Sequence, residues 1–354
     1  MTGSRLDQLR AVVRDPERKA LPTILFETIA LSLKARQPAG FYFSSFLYKK
    51  GVDVADHLST RDMWGIQDVL SDPAAVDIVH NKLFIHEFFS GRHIPVPRLL
   101  AYNFNERLFA EAGESWRLHL IGGLDNCVAA LRSLVAKSNS KSIFVKPTKG
   151  WGGSRTRKVS DTDLREQGPA IHDYMLSSSY IIQEEVAQHP ALKTLNPTSL
   201  NTVRMDTFRA KGRTAQIMSA LLRMGMAGSS ADNIAAGGVY TGIDLETGRL
   251  NERAYKKLAK SAVGYLAHPT SGVTFKGYQL PTFEDVKRIA LDAANLLPPA
   301  LVGWDIAVSE SGPLLIEGNS RYYDMQLSDV AYGGYIKNPV FQQALKLARG
   351  MKSR

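Results

Sequence analysis

Residues 301–319, LVGWDIAVSESGPLLIEGN, hold two apolar runs around Ser309, Glu310, Ser311, Gly312 and Pro313. Apolar runs flanking a Ser/Gly/Pro cluster predict a β-hairpin. With the turn centred near Ser311, Asp305 lies across the ladder from Glu317. Asn319 then shares the face of Glu317, because side chains alternate with period two. Facing carboxylates repel, so such a hairpin requires positive charge between them. Trp304, Ile306, Val308 and Ile316 fall on the opposite, core face. Three oxygen donors in this pattern suit a hard cation such as Mg²⁺, which takes one or two carboxylates plus substrate phosphates. The solvent-facing side of an edge hairpin would show the same pattern, so the rest of the chain has to decide.

Composition removes several alternatives. Cys127 is the single cysteine of the 354 residues, which excludes a disulfide framework and a thiolate metal cluster. The eight histidines show no HxxxH or HExxH spacing, so there is no zinc signature. No signal peptide is evident over residues 1–18. The first apolar run, LPTILFETIALSLKA, carries Glu27 and is too short to span a bilayer. A cytoplasmic protein without a transmembrane segment is expected. The net charge of +10 favours anionic partners. The basic residues are scattered and no aromatic–basic motif occurs, so nucleic acid is not expected as a partner. Nucleotide phosphates, an acidic substrate or an anionic membrane surface all fit the charge.

Apolar residues recur at helical spacing through Leu6, Leu9, Val12 and Val13, and again from Ile24 to Leu33, so residues 1–75 read as a helical region. From residue 76 the texture is mixed. A helix begins near Lys82 and breaks at Gly91, and a strand follows Pro95 and Pro97. SIFVKP (142–147) and YIIQEEV (180–186) read as strands. TVRMDTFRA, TAQIMSALLRM and GGVYTGIDL do likewise, and Phe283–Leu297 reads as an amphipathic helix stopped by Pro298 and Pro299. Such an order of elements indicates an α/β or α+β protein.

In IFVKPTKGWGGSRTRKV (143–159), a strand leads through Lys146 into a loop holding Gly150, Gly152 and Gly153, and a strand-like run follows. Glycines let backbone amides approach phosphates, and lysine neutralises them as a point charge. The loop fits neither GxxxxGK[ST] nor GxGxxG opening a helix. A β-hairpin flap over a triphosphate accounts for the strand that follows, as does an exposed glycine turn. Gln183, Glu184, Glu185 and Val186 end the next strand, where main-chain groups can reach a purine edge.

Taken in order, Lys82, VKP with Lys146, the glycine flap, QEEV, NTVR with Arg204 and GWD…IEGN resemble the ATP-grasp superfamily. HPALKTLNPTSLNTVRMDT, DNIAAGGVYTGIDLETGRL, HPTSGVTFKGYQLP and VGWDIAVSESGPLLIEGN are similar to its sugar-transfer-associated, α-L-glutamate-ligase-like branch. The resemblance covers roughly residues 76–345. It implies an α+β ATP-grasp fold, two lobes (76–184 and 185–347) clasping ATP, preceded by the helical region 1–75. It also implies that Lys82 and Lys146 contact the α- and β-phosphates, and that Gly150, Gly152, Gly153 and Ser154 cap the triphosphate. Gln183, Glu184, Glu185 and Val186 would frame the adenine, and His189 the ribose. Asp305, Glu317 and Asn319 would hold Mg²⁺, two ions in the family pattern, with Mn²⁺ as a substitute. Arg204 and Arg223 would stabilise the transferred phosphoryl group, with Asn233, Gly237 and Gly238 near the reaction centre and Arg321 facing substrate. The family's frequent Rossmann-like first domain is replaced here by the helical residues 1–75.

The leading expectation is an ATP- and Mg²⁺-dependent carboxylate–amine (or peptide-forming) ligase. It would act through an acyl phosphate on a small-molecule carboxylate and an amine acceptor, making a glycan-linked or specialised metabolite. No protein nucleophile is needed, in keeping with the lack of a Ser/His/Asp or Cys/His arrangement. An ATP-grasp kinase acting on a hydroxyl is the alternative enzyme, and a non-catalytic nucleotide-binding protein the alternative outside enzymology. A homodimer is compatible with all three.

Overall fold

The computed structural model describes residues 5–36, 38–150, 155–226, 228, 234, 237–256 and 264–352. The chain forms two compact units, one of residues 77–187 with Leu314–Glu317, the other of residues 1–76, 188–313 and 318–354. Helices and two antiparallel sheets make it an α+β protein.

The first unit is built on a six-stranded sheet of order β3-β2-β1-β6-β4-β5. Its strands are β1 (Leu99–Phe104), β2 (Arg107–Ala112), β3 (Ser115–Leu120), β4 (Ser142–Pro147), β5 (Arg157–Ser160) and β6 (Tyr180–Glu184). Helices α7 (Leu124–Lys137) and α8 (Asp161–Leu176) supply Cys127, Leu131, Leu134 and Ile171 to a core shared with Ile143, Val145 and Ile182. Cys127 is one of the core's fully buried side chains, and burial pushes its thiol up to about 11, as befits an inert packing residue. Helix α6 (Lys82–Ser90) starts where the Asn81 carboxamide accepts from the amides of Leu83 and Phe84, and it stops at Gly91. Helix, break and following strand agree with the sequence pattern. The meander β2–β3 and the helices α7 and α8 carry no signal singled out above.

The second unit contains α1 (Arg5–Arg14), α2 (Leu21–Ala35), α3 (Gly40–Ser44) and α4 (Thr60–Leu70), so its N-terminal part is helical as expected. Its sheet has the order β10-β9-β8-β7-β11-β12. The strands are β7 (Thr202–Arg209), β8 (Gln216–Met224), β9 (Val239–Ile243), β10 (Leu250–Tyr255), β11 (Ala300–Ser309) and β12 (Gly312–Asn319). The predicted hairpin is therefore β11–β12, turning at Glu310 and Ser311. Helix α10 (Phe283–Leu296) covers β7 and β11 with Val286, Ile289, Ala290 and Ala293. Trp304, Ile306 and Val308 are buried as expected. Ile316 is only half-buried, and Leu315 takes the core place instead.

The solvent-facing alternative does not hold for β11, which is buried at every position, the one bearing Asp305 included. β7 runs antiparallel to β11 with Ala307 opposite Thr202, Asp305 opposite Arg204 and Gly303 opposite Asp206. By alternation Thr202, Arg204 and Asp206 share a face, and all three are buried. Asp206 Oδ2 accepts from Ser219 (2.9 Å), from Ser328 of α11 (Gln326–Ala331, 2.7 Å) and from Tyr335 (2.7 Å). Burial raises its carboxyl pKa, and the charge of Arg204 and these three hydroxyls only partly oppose that rise.

Gly303 makes this polar layer possible. A Cβ there would lie 2.8 Å from the Tyr323 ring, 2.9 Å from Asp206 Oδ1 and 3.1 Å from Arg204 Cδ. Gly303→Ala should therefore destabilise the fold by about 1–3 kcal/mol, the usual cost of overpacking a closed interior. Urea denaturation checks this; an unchanged midpoint would contradict the packing described.

Candidate active site

In the second unit the site is an ion cluster on neighbouring strands. Arg204 on β7 grips Asp305 on β11 with both arms of its fork, Nε to Oδ1 at 2.6 Å and Nη2 to Oδ2 at 3.0 Å. Arg223 reaches the same carboxylate from β8, Nη2 to Oδ2 at 3.2 Å. Its Nε and Nη2 also donate to Thr202 Oγ1, directly across the ladder. Asn319 at the end of β12 donates its amide nitrogen to Gly303 O (3.4 Å) and Asp305 Oδ2 (3.3 Å). Asp305 is 1% exposed and Arg204 7%. Planar bidentate pairing suits arginine and excludes lysine as an equivalent. Arg204 also lies over the Tyr323 ring, 5.9 Å from its centroid. Arg204 thus makes its bidentate pair with its cross-strand neighbour, while its charge also acts on Asp206 of its own strand.

In the first unit Lys82 holds the corresponding place. Its backbone amide donates to Thr148 O (2.8 Å), and its ammonium lies 3.0 Å from Gly150 O and 3.2 Å from Glu317 Oε2. One lysine thereby joins the start of α6, the glycine loop and Glu317. Gly150 has φ +115°, a conformation reserved in practice for glycine. Lys146 on β4 donates to Gln183 Oε1 of β6 at 3.2 Å, while Gln183 Nε2 donates to Pro97 O. Gly152, Gly153 and Ser154 lie outside the described residues, as does Asn233.

Of the strand-end residues, Glu184 Oε1 accepts from the Asn139 amide (2.7 Å), while Glu185 accepts from Ser142 (2.6 Å) and Lys158 (2.7 Å). Burial pulls the Glu185 carboxyl up, but the hydrogen bonds from Lys158 and Ser142 and the Lys158 charge outweigh it and hold it below its ordinary range. Both side chains therefore brace the strand end. In the second unit, His189 caps α9 (Pro190–Leu195) by accepting from the Ala191 amide. Gly237 has φ +107°, and both Gly237 and Gly238 are buried just before β9. Arg321, with φ +51°, turns toward α4, its Nη2 donating to Ser71 O and its Nε 3.3 Å from Asp68 Oδ1. Thr202, Gly303 and Tyr323, which shape the arginine cluster, were not singled out from the sequence. The only hint was the alternation that places Thr202 beside Arg204.

The donors available for a divalent cation are hard oxygens. Asp305 is surrounded by cations, as an ionised carboxylate must be when buried, and the amide nitrogen of Asn319 is committed, which leaves Oδ1 for a cation. Glu317 is 22% exposed at its side chain. Among the described residues no three His, Cys, Asp or Glu side chains are grouped. Asp305 and the Asn319 amide oxygen in the second unit, and Glu317 in the first, are each hard oxygens of the kind Mg²⁺ takes together with water and phosphates.

No curated protein matches the chain. Solved structures similar to it include the ATP-grasp ligase PsnB complexed with minimal precursor, at 17% identity and TM-score 0.42, covering 78% of this chain and 62% of PsnB. D-alanyl-alanine synthetase A from Vibrio cholerae is another, at 15% identity and TM-score 0.46, covering 78% and 66%. D-alanine–D-alanine ligase from Bacillus anthracis is a third, at 12% identity and TM-score 0.41, covering 79% and 72%. The chain thus spans about three-fifths of PsnB. The sequence profile of the sugar-transfer associated ATP-grasp proteins matches residues 67–343, most of the chain and every candidate site residue named from the sequence. On that match the chain belongs to the sugar-transfer associated ATP-grasp family and has the ATP-grasp fold.

Proposed function

We propose that this protein is an ATP- and Mg²⁺-dependent ligase that joins a small-molecule carboxylate to an amine. The observation that carries the reading is the pair Arg204 and Arg223, set on adjacent strands against one buried carboxylate. Phosphoryl transfer is mostly positioning and stabilisation of developing charge, which requires cations that do not reorganise. Guanidinium groups fixed on a sheet meet that requirement.

In this mechanism Lys82 and Lys146 neutralise the α- and β-phosphates of ATP, and the glycine loop from Gly150 covers them. The segment Gln183–Val186 recognises adenine through its main chain, and His189 serves the ribose. Arg204 and Arg223 stabilise the γ-phosphoryl group as the substrate carboxylate attacks it, giving an acyl phosphate and ADP. The amine then displaces phosphate to form the amide. Asn233, Gly237, Gly238 and Arg321 belong to the acceptor side. Asp305, Glu317 and Asn319 would hold Mg²⁺, which when bound neutralises phosphate charge. Exclusion of water protects the acyl phosphate from hydrolysis.

Two measurements test this. With a panel of carboxylic acids, ATP and Mg²⁺, added hydroxylamine should trap the acyl phosphate as a hydroxamate in step with ADP release. ADP release on hydroxyl compounds without hydroxamate would instead identify a kinase.

The two carboxylates should also separate in their effects. Glu317→Gln should lower turnover at least about a hundredfold, the scale of a lost charge at a metal-assisted centre, with melting little changed. Asp305→Asn should in addition destabilise the fold by roughly 3–5 kcal/mol, because it removes the charge shared by buried Arg204 and half-buried Arg223. Near-normal ADP release by Glu317→Gln, or an Asp305→Asn protein as stable as the parent, would count against the respective role.

A further inference from the structure

Helix α2 carries more apolar side chains than the core takes in. Ile24 is buried and Leu31 half-buried against the cluster of Val12, Tyr42, Leu47 and Tyr48, which fixes one face inward. Leu21, Leu25, Ile29 and Leu33 follow at intervals of four and, with Phe26, form a stripe on another side of the helix. All five are exposed, Phe26 at 72% and Leu33 at 74%. Leu9 and Val13 of α1, whose Val12 enters the same cluster, are exposed as well. Single exposed apolar residues need no explanation, but a contiguous stripe marks a surface that is covered in use.

The acids of α2 and of the turn before it are paired, while, among the described residues, cations beside the stripe are not. Glu27, the one acid of α2, is turned away and held by both the Lys19 ammonium (2.9 Å) and the Tyr42 hydroxyl (2.6 Å). Asp15 and Glu17 are paired with Lys49. Arg14, Lys34 and Arg36 are exposed and form no ion pair among the described residues. The Arg36 side chain borders a shallow groove with Thr28, Ile29, Ser32 and Leu33. Apolar side chains rimmed by unpaired cations complement an anionic lipid surface, with acyl chains for the stripe and headgroups for the rim. A second copy of the chain would bring the same cations to the contact, which an isologous interface does not favour. At about 22 Å, α2 is shorter than a bilayer span, and no helix among the described residues is long and apolar enough to cross a membrane.

We propose that α1 and α2 form a membrane-docking face, with α2 lying in the plane of an anionic lipid surface and its Leu25–Phe26–Leu33 stripe inserted. The full chain should co-sediment with vesicles of phosphatidylcholine containing about one-third phosphatidylglycerol and not with phosphatidylcholine alone, and salt should weaken the binding. Phe26→Ser with Leu33→Ser should reduce binding at least about tenfold. Arg14→Gln, Lys34→Gln and Arg36→Gln should each reduce it about fivefold. All are exposed positions, so melting should not move. No binding to the anionic vesicles would overturn the proposal, as would equal binding to neutral ones. So would a dimer in sedimentation velocity that the Phe26/Leu33 variant dissolves while vesicle binding is retained.

Discussion

Removing a carboxylate from water costs several kcal/mol unless opposite charge and hydrogen bonds replace the lost hydration. Asp305 is almost fully buried, and the fold answers that cost from three sides, with Arg204 across the ladder, Arg223 one strand further on and the Asn319 amide. Register makes this possible. Because Asp305 stands opposite Arg204 and Thr202 opposite Arg223, the two guanidinium groups approach one carboxylate without any loop having to order itself. Gly303 then supplies the space, since any side chain there would displace Arg204, Asp206 or Tyr323. The pairing of β7 with β11, both interior strands of the sheet, is therefore what holds the ion cluster together.

The other unit uses different means. Lys82 sits at a helix start, Lys146 in a strand and Gly150 in a loop, so the cations lie on rigid elements while the intervening backbone can adapt. The Lys82 ammonium touches a loop carbonyl and the Glu317 carboxylate, a partly exposed pairing of the kind that contributes little to stability. Burial separates the two carboxylates of the hairpin. Asp305 is locked by two arginines, whereas Glu317 keeps a lysine partner and some access to solvent.

How much of this was legible in the sequence follows from range. The hairpin, the helix from Lys82 to Gly91 and the strands of SIFVKP and TVRMDTFRA are local patterns, and turn chemistry and periodicity displayed them. Alternation placed Thr202, Arg204 and Asp206 on one face, but it could not say which partner Arg204 would take. Asp206, two residues along, feels the Arg204 charge and takes hydrogen bonds from Ser219, Ser328 and Tyr335, while the bidentate pair is made with Asp305. Contacts over a hundred residues of sequence, such as Arg204 with Asp305, depend on strand order, which periodicity does not encode. The side-chain contacts of Glu184, Glu185 and His189, which brace the strand end and cap α9, are likewise not written in the local pattern. The meander β2–β3 stayed hidden because β3 is exposed at most of its positions and so lacks an apolar alternation.

A polar layer of this size inside a sheet also bears on why the chain carries it. Well-packed hydrophobic residues in place of a buried ion cluster are often neutral or stabilising. Thr202, Arg204, Asp206, Arg223 and Asp305 would thus be a poor choice if stability were the only demand. Local rules are broken most often where function requires it. The breach here is concentrated, because the opposite face of the same strands is ordinary core, with Val203, Met205, Trp304 and Ile306 fully buried. One face of β7 and β11 supplies the apolar burial that holds the sheet together, and that allows the other to hold its charges in fixed positions.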